Sequence, residues 1–444
     1  MDKFISNEND KAVLRNISAA FIIKGGALLI SFFSLPAYIR FFDNKDILGV
    51  WFTILSVLTW ILSFDFGIGN GLRNKLVGAL VRNDKLEARL YISSAYFVIG
   101  SLVIVFSFLA TIAFKYLDWN SIFNISTDLI SAHTMNFVVR CVLYTIMLQL
   151  FFGLISSVLY AIQKSAINNL ISLITSVSQL FFVLIFTSSD VETNIKILSV
   201  VYLLCVIVPL LVTTIIIFTT RLKGYAPSIK FLNKRASKSI MQLGGLFFLN
   251  QIMYMLITGT NSILITNFIS PTSVVDYQIY YRLFSLPGML FTLALTPLWS
   301  AITKACEEKD GLWITKYFKL LHRLVLLVIV IQFLIIPFLQ PIVNIWLGGN
   351  SISITYDKSI LFAIFGSIFV YQNVLSTFAC GLGKIRLQLI CYTLGVVFKF
   401  IFIYFGVRIY SDWTIVVLSD IFILLPYCIF QFASLKRQLI LLLK

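Results

Sequence analysis

Six charged residues lie within long apolar stretches, and their types could do chemistry there. A cation at the centre of a membrane-spanning helix costs about 2.5–3.5 kcal/mol on insertion scales, so such residues indicate a function or a charge partner. Four bases and two acids together predict a wet interior that attracts anions. The six residues are Lys24, Arg140, Arg282 and Lys399, which are basic, and Asp65 and Asp420, which are acidic.

The depth of each charged residue in the membrane distinguishes two roles. A residue near the midplane favours a functional site, whereas the side chain of a residue near the surface can simply reach the headgroups. Arg140 and Arg282 lie near the outer ends of their predicted helices, where a long side chain can reach the headgroups. Lys24 is deeper, and Lys399 is near the predicted midplane, so these positions favour lining of a hydrated cleft. The acids Asp65 and Asp420 could instead pair with the bases, or titrate as a coupling site for protons or sodium.

A polar stripe accompanies these charges. Gln251, Tyr254, Thr258 and Asn261 recur at helical spacing in a stretch without charge, which predicts one polar face on one helix. Amide, hydroxyl and aromatic groups suit a hydroxyl-rich cargo such as a sugar. Hydrogen bonding between helices is the alternative explanation for a single stripe, but similar polar faces in three other predicted helices favour a hydrated interior.

The elements that position these residues must be membrane-spanning helices. The chain has 444 residues, 59% hydrophobic and 12% charged, whereas soluble domains are roughly 25% charged. Apolar runs long enough to cross a bilayer of about 30 Å recur along it. The sequence therefore predicts an all-α integral membrane protein with twelve transmembrane helices, at 14–39, 47–69, 91–114, 135–160, 167–188, 195–219, 240–266, 278–301, 319–338, 359–382, 386–407 and 413–434.

The basic residues predict the orientation. Of the 35 lysines and arginines, 25 fall in the loops and helix ends of one side and six on the other. By the positive-inside rule both termini are cytoplasmic. The net charge of +16 is then a topology signal and a contact with membrane lipids, so no nucleic-acid partner is expected.

Several features recur at an offset of close to half the chain. Gly25-Gly26 and Gly244-Gly245 are 219 residues apart, and Pro209 and Pro426 are 217 apart. An even number of helices between the copies predicts a parallel repeat about an axis along the membrane normal. We expect two six-helix lobes, residues 1–222 and 223–444, around a cationic cleft.

One motif carries a family resemblance. At the exit of the second predicted helix the chain reads Asp65-Phe-Gly-Ile-Gly-Asn-Gly-Leu-Arg73-Asn-Lys75. This resembles polysaccharide repeat-unit flippases of the O-antigen type, in the multidrug/oligosaccharidyl-lipid/polysaccharide (MOP) exporter superfamily. The resemblance implies a bacterial inner-membrane protein that carries an undecaprenyl-pyrophosphate-linked oligosaccharide outward by alternating access. It implies no cofactor beyond a coupling ion, and leaves other polysaccharide assembly proteins open as partners.

Two other functions stay open at this level. A cation-coupled multidrug exporter of the same superfamily would use Asp65 and Asp420 for its cargo. A membrane glycosyltransferase or polymerase could use Asp43 and Asp46 as a catalytic pair, but such enzymes generally need larger outer loops, so we expect no enzyme. The six cysteines lack metal-ligand spacing, and no metal site is expected.

Overall fold

The structure is a computed structural model, and within the described residues it contains helices and no strands. It describes residues 67–444 except 115, 123–125, 187–189, 270, 348–352, 411 and 443–444, together with isolated residues between 23 and 54. The chain divides into two compact units, Met1–Gly245 and Leu246–Lys444. The lobe boundary predicted at residue 222 stays a prediction.

The described helices are numbered here in chain order. In the first part of the chain they are α1 Ile68–Val81, α2 Lys85–Ala113, α3 Trp119–Ile122, α4 Ala132–Phe152, α5 Leu154–Ala161, α6 Ser165–Ile185 and α7 Val191–Thr219. Helix α8, Lys234–Thr258, runs across the boundary between the units. In the second unit follow α9 Asn261–Phe268, α10 Pro271–Glu307, α11 Gly311–Leu334, α12 Leu339–Leu347, α13 Tyr356–Gly381, α14 Arg386–Ile409 and α15 Thr414–Leu442.

Ten helical segments of the described chain are long and apolar enough to cross a membrane. They correspond to the third to twelfth predicted spans, and the first two predicted spans fall largely outside the described residues. The chain is therefore a multi-pass membrane protein. The surface of the protein is consistent with this conclusion. Phe108 and Ile104 on α2 and Phe405 on α14 are more than half exposed, as lipid-facing side chains are.

The structure differs from the predicted spans in two ways. Helices extend beyond the apolar runs: α2 starts at Lys85 and α15 continues to Leu442, because a helix does not end where the hydrocarbon layer ends. The seventh predicted span, 240–266, is not one helix. It breaks after Thr258 and resumes at Asn261, so the polar stripe is divided between α8 and α9.

Polar caps fix several helix starts in the loops. Asp190 precedes α7, and its carboxylate accepts hydrogen bonds from the backbone N–H groups of Glu192 at 3.3 Å and Thr193 at 3.0 Å. The hydroxyl of Thr193 also donates to it, and these bonds hold the pKa of the Asp190 carboxyl below its usual range. Asp84 caps α2 in the same manner.

The glycines of the recognised motif serve helix packing. Gly67 has a φ of 64°, which favours glycine, and it precedes the start of α1. A Cβ on Gly71 would lie 2.6 Å from the carbonyl oxygen of Ile240, and one on Gly244 would lie 2.8 Å from that of Gly67. These glycines therefore let the backbones of α1 and α8 approach closely, as small residues do between membrane helices.

Candidate functional site

Lys399 and Asp420 form an ion pair inside the second unit. Neither side chain has exposed surface, and the ammonium nitrogen of Lys399 lies 2.9 Å from the Oδ1 atom of Asp420. Helix α14 supplies the lysine through the face that also buries Tyr392 and Gly395, and α15 supplies the acid. Pairing offsets part of the large cost of burying each charge alone.

The break between α8 and α9 supplies two further oxygens. The Lys399 ammonium donates to the backbone carbonyl of Ile257 and to the side-chain oxygen of Asn261. Ile257 is in the last turn of α8, where carbonyls have no partner within the helix and carry the negative end of its dipole. An ammonium has three N–H donors, and here each meets an oxygen.

Asn261 and Tyr277 complete this cluster. The amide nitrogen of Asn261 donates to Oδ2 of Asp420 at 2.6 Å and to the hydroxyl of Tyr277 at 3.0 Å. Both carboxylate oxygens of Asp420 are thus bonded. We refer to Ile257, Asn261, Tyr277, Lys399 and Asp420 as the Lys399 cluster.

Arg140 occupies a different setting, in an open pocket of about 430 Å³ in the first unit. His133, Asn136 and Arg140 line the pocket from one face of α4, and Arg140 is exposed. Its guanidinium lies 5.1 Å from the centre of the Phe114 ring, and no acid pairs with it among the described residues. His133 and Asn136 were not among the predicted site residues, although their helical spacing from Arg140 is visible in the sequence.

Arg282 is also exposed, near the start of the span Asp276–Glu307. Within the described part of the chain it has no ion pair. The adjacent Tyr281 stacks on Tyr277, with ring centres 5.6 Å apart, and Gln278 donates to the Ser262 hydroxyl at 2.9 Å. Arg282 thus follows Tyr281 in the chain and lies one helical turn after Gln278.

The remaining predicted site residues lie in different environments. Gln251 is exposed, whereas the Tyr254 ring is packed 5.7 Å from that of Tyr392. The Thr258 hydroxyl donates to the Tyr254 carbonyl at 3.1 Å and so satisfies its own helix. Lys24 and Asp65 lie outside the described residues, as do Asp43 and Asp46 of the enzyme alternative. Their predicted roles stay predictions.

Comparison with solved structures gives the class of the fold. An outward-facing multidrug resistance MATE family transporter of the MOP superfamily matches with a TM-score of 0.75 at 15% identity, over 98% of this chain and 97% of that one. A MOP superfamily transporter from Pyrococcus furiosus matches with a TM-score of 0.76 at 15% identity, over 99% and 97%. The chain has the same fold as these transporters, and a count of twelve helices is consistent with it.

The sequence comparison finds a similar protein whose name includes a function. The "Putative O-antigen export protein" of Yersinia pseudotuberculosis is 22% identical over 373 residues, which is 81% of this chain and 82% of that protein. No model of a known protein family matches the chain. The similarity to an O-antigen export protein confirms the family resemblance, and these three similar proteins are named as export proteins or transporters.

Proposed function

We propose that the chain is a flippase that moves an undecaprenyl-pyrophosphate-linked oligosaccharide from the cytoplasmic to the outer leaflet of a bacterial inner membrane. The similarity to an O-antigen export protein over four fifths of the chain carries the proposal. The fold supports it, because the solved structures that share this fold are transporters. Both termini are cytoplasmic in this proposal, as the distribution of basic loop residues favours.

Arg140 and Arg282, two exposed arginines that the sequence places inside apolar runs, would contact the pyrophosphate. An arginine inside a span without an acid beside it needs water or an anionic ligand to offset its burial in the membrane region. A guanidinium binds phosphate oxygens through paired N–H donors, with geometry that suits a pyrophosphate. Among the residues that the structure describes, Arg140 and Arg282 meet these conditions, whereas Lys399 is enclosed and already bonded to three oxygens.

Export of the native glycan tests the proposal. In a strain that lacks the gene, we expect surface polysaccharide to be lost and the lipid-linked unit to accumulate in the inner leaflet, with the wild-type chain restoring export. Arg140→Ala and Arg282→Ala should each weaken binding about 10- to 100-fold, the effect of losing one hydrogen-bonded charge. Arg282→Lys should keep part of the export, because the charge remains.

Arg408→Ala is the matched control. Arg408 is also an exposed arginine near a helix end, but it packs over the Tyr404 ring at 4.1 Å and bonds to its hydroxyl. We expect full export from this variant at unchanged protein level. Normal polysaccharide in the deletion strain, together with increased sensitivity to cationic drugs, would contradict the flippase and favour the multidrug exporter.

A further inference from the structure

The Lys399 cluster has the ligands of a site for a small monovalent cation. Three oxygens converge on one point: the Ile257 carbonyl, the amide oxygen of Asn261 and one carboxylate oxygen of Asp420. Carbonyls at the broken end of a membrane helix, joined by a carboxylate, are the groups that hold sodium ions in transport proteins. In this chain the ammonium of Lys399 occupies that point.

The cluster is held in place independently of the lysine. Asn261 is tied to Asp420 and to Tyr277 through its amide nitrogen, which leaves its oxygen facing the ammonium. Ile257 has no exposed surface, and Asn261 is 1% exposed. The positions of two of the three oxygens therefore follow from the helix break and from bonds that do not involve Lys399.

The negative charge of the cluster requires a cation at the point where the three oxygens converge. Asp420 is the only acid in the cluster, and the carbonyl end of α8 adds partial negative charge. Apart from Lys399, no base contacts Asp420 among the described residues, and the other titratable groups that interact with it electrostatically are the tyrosines Tyr277, Tyr281 and Tyr254. A single positive charge at this point brings the cluster to neutrality.

We propose that the ammonium group of Lys399 takes the place of a bound sodium ion at the break between α8 and α9. This site therefore needs no sodium ion in the wild-type protein. Removal of the side chain should therefore create a sodium site. This inference goes beyond the proposed function, because it concerns an ion and not the transported glycan.

The test measures thermal unfolding of the purified full-length protein in sodium chloride and in choline chloride at equal ionic strength. Lys399→Ala leaves the oxygens and opens space, so sodium should raise its Tm relative to choline by about 2–4 °C more than in the wild type. Taking the difference from the wild type removes the effect of any cation site elsewhere in the chain. Potassium, being larger, should give a smaller rise.

Two control variants separate a sodium site from general salt effects. Lys399→Met removes the charge but fills the space, and Lys399→Ala with Asp420→Asn removes the carboxylate. Neither should gain a response to sodium. If K399A is recovered only when sodium is present, that also supports the proposal.

Two results would overturn it. One is a folded K399A protein with the same response to sodium as the wild type or as the two controls. The other is recovery of the double variant but not of K399A in sodium, because the ion would then have failed to neutralise Asp420. Neither result bears on glycan export, so the flippase proposal is tested separately.

Discussion

At the scale of single residues, the intramembrane charges fall into two environments. Lys399 and Asp420 are enclosed and bonded to each other, whereas Arg140 and Arg282 are exposed and have no acid beside them in the described chain. Enclosed charges that satisfy each other cannot also hold a ligand in the same arrangement. The exposed arginines are therefore the better candidates for contact with an anionic cargo.

The buried pair predicts a characteristic pattern of stability. Asp420→Asn leaves the Lys399 charge without its partner, and we expect unfolding to become easier by about 3–5 kcal/mol. Lys399→Met combined with Asp420→Asn removes both charges and should cost less than Asp420→Asn alone. Thermal unfolding and the amount of protein in the membrane measure this. A double variant as unstable as the sum of the two single variants would show that the charges do not act as a pair.

At the scale of elements, two features of backbone geometry organise the described chain. The break between α8 and α9 exposes a carbonyl to Lys399, and the glycines of α1 and α8 allow these helices to touch. The helix break and the contact between α1 and α8 both depend on residues that have a small side chain or none, or that readily end a helix. The motif that resembles polysaccharide flippases thus has a packing role, with Arg73 buried and placed 4.6 Å from the centre of the Tyr160 ring.

The adjacent glycines Gly244 and Gly245 provide a matched pair of variants that tests the contact between α1 and α8. Gly244→Ala would place a methyl group 2.8 Å from the Gly67 carbonyl oxygen, whereas a Cβ on Gly245 meets nothing within 4 Å. We expect Gly244→Ala to destabilise the protein by about 1–3 kcal/mol, as overpacking does, and Gly245→Ala to leave stability nearly unchanged. Detergent-solubilised protein yield and Tm report the difference. Equal values for the two variants would contradict the close contact.

At the scale of the whole molecule, length and hydropathy place ten described helical segments across a membrane. The distribution of basic residues predicts the orientation, with six bases in the outer loops and 25 on the inner side. In the proposed orientation, the pocket of Arg140 would face the outer side, where a transported headgroup would leave. Every assignment of an entry or exit side depends on it.

Cysteine labelling tests that orientation. In a variant without the six native cysteines, single cysteines at Asp118, Asp190 and Asp357 should react with an impermeant maleimide in cells with a permeabilised outer envelope. Cysteines at Asp84, Lys230 and Glu308 should react only after the inner membrane is opened. All six positions are exposed in the structure, so burial does not protect them. Labelling at Asp84 with an intact inner membrane would reverse the topology.

The sequence by itself determined the class of molecule and the approximate position of most described helices. Hydropathy is a local property that adds along the chain, so apolar runs such as 197–220 mark a span without knowledge of its neighbours. The identities of the intramembrane charges were equally visible. Pro209 and Pro426 were correctly placed inside helices, because a bilayer tolerates proline within a span.

Only the tertiary structure decided what those charges contact. Lys399 meets Asp420 from 21 positions away, but its other two partners, Ile257 and Asn261, are 142 and 138 positions away. Such contacts depend on the rotation and register of helices that pack side by side, which no local pattern specifies. Gly259 between Thr258 and Asn261 was a visible sign of the helix break. Its consequence, a carbonyl turned toward a lysine on another helix, follows only from the packing.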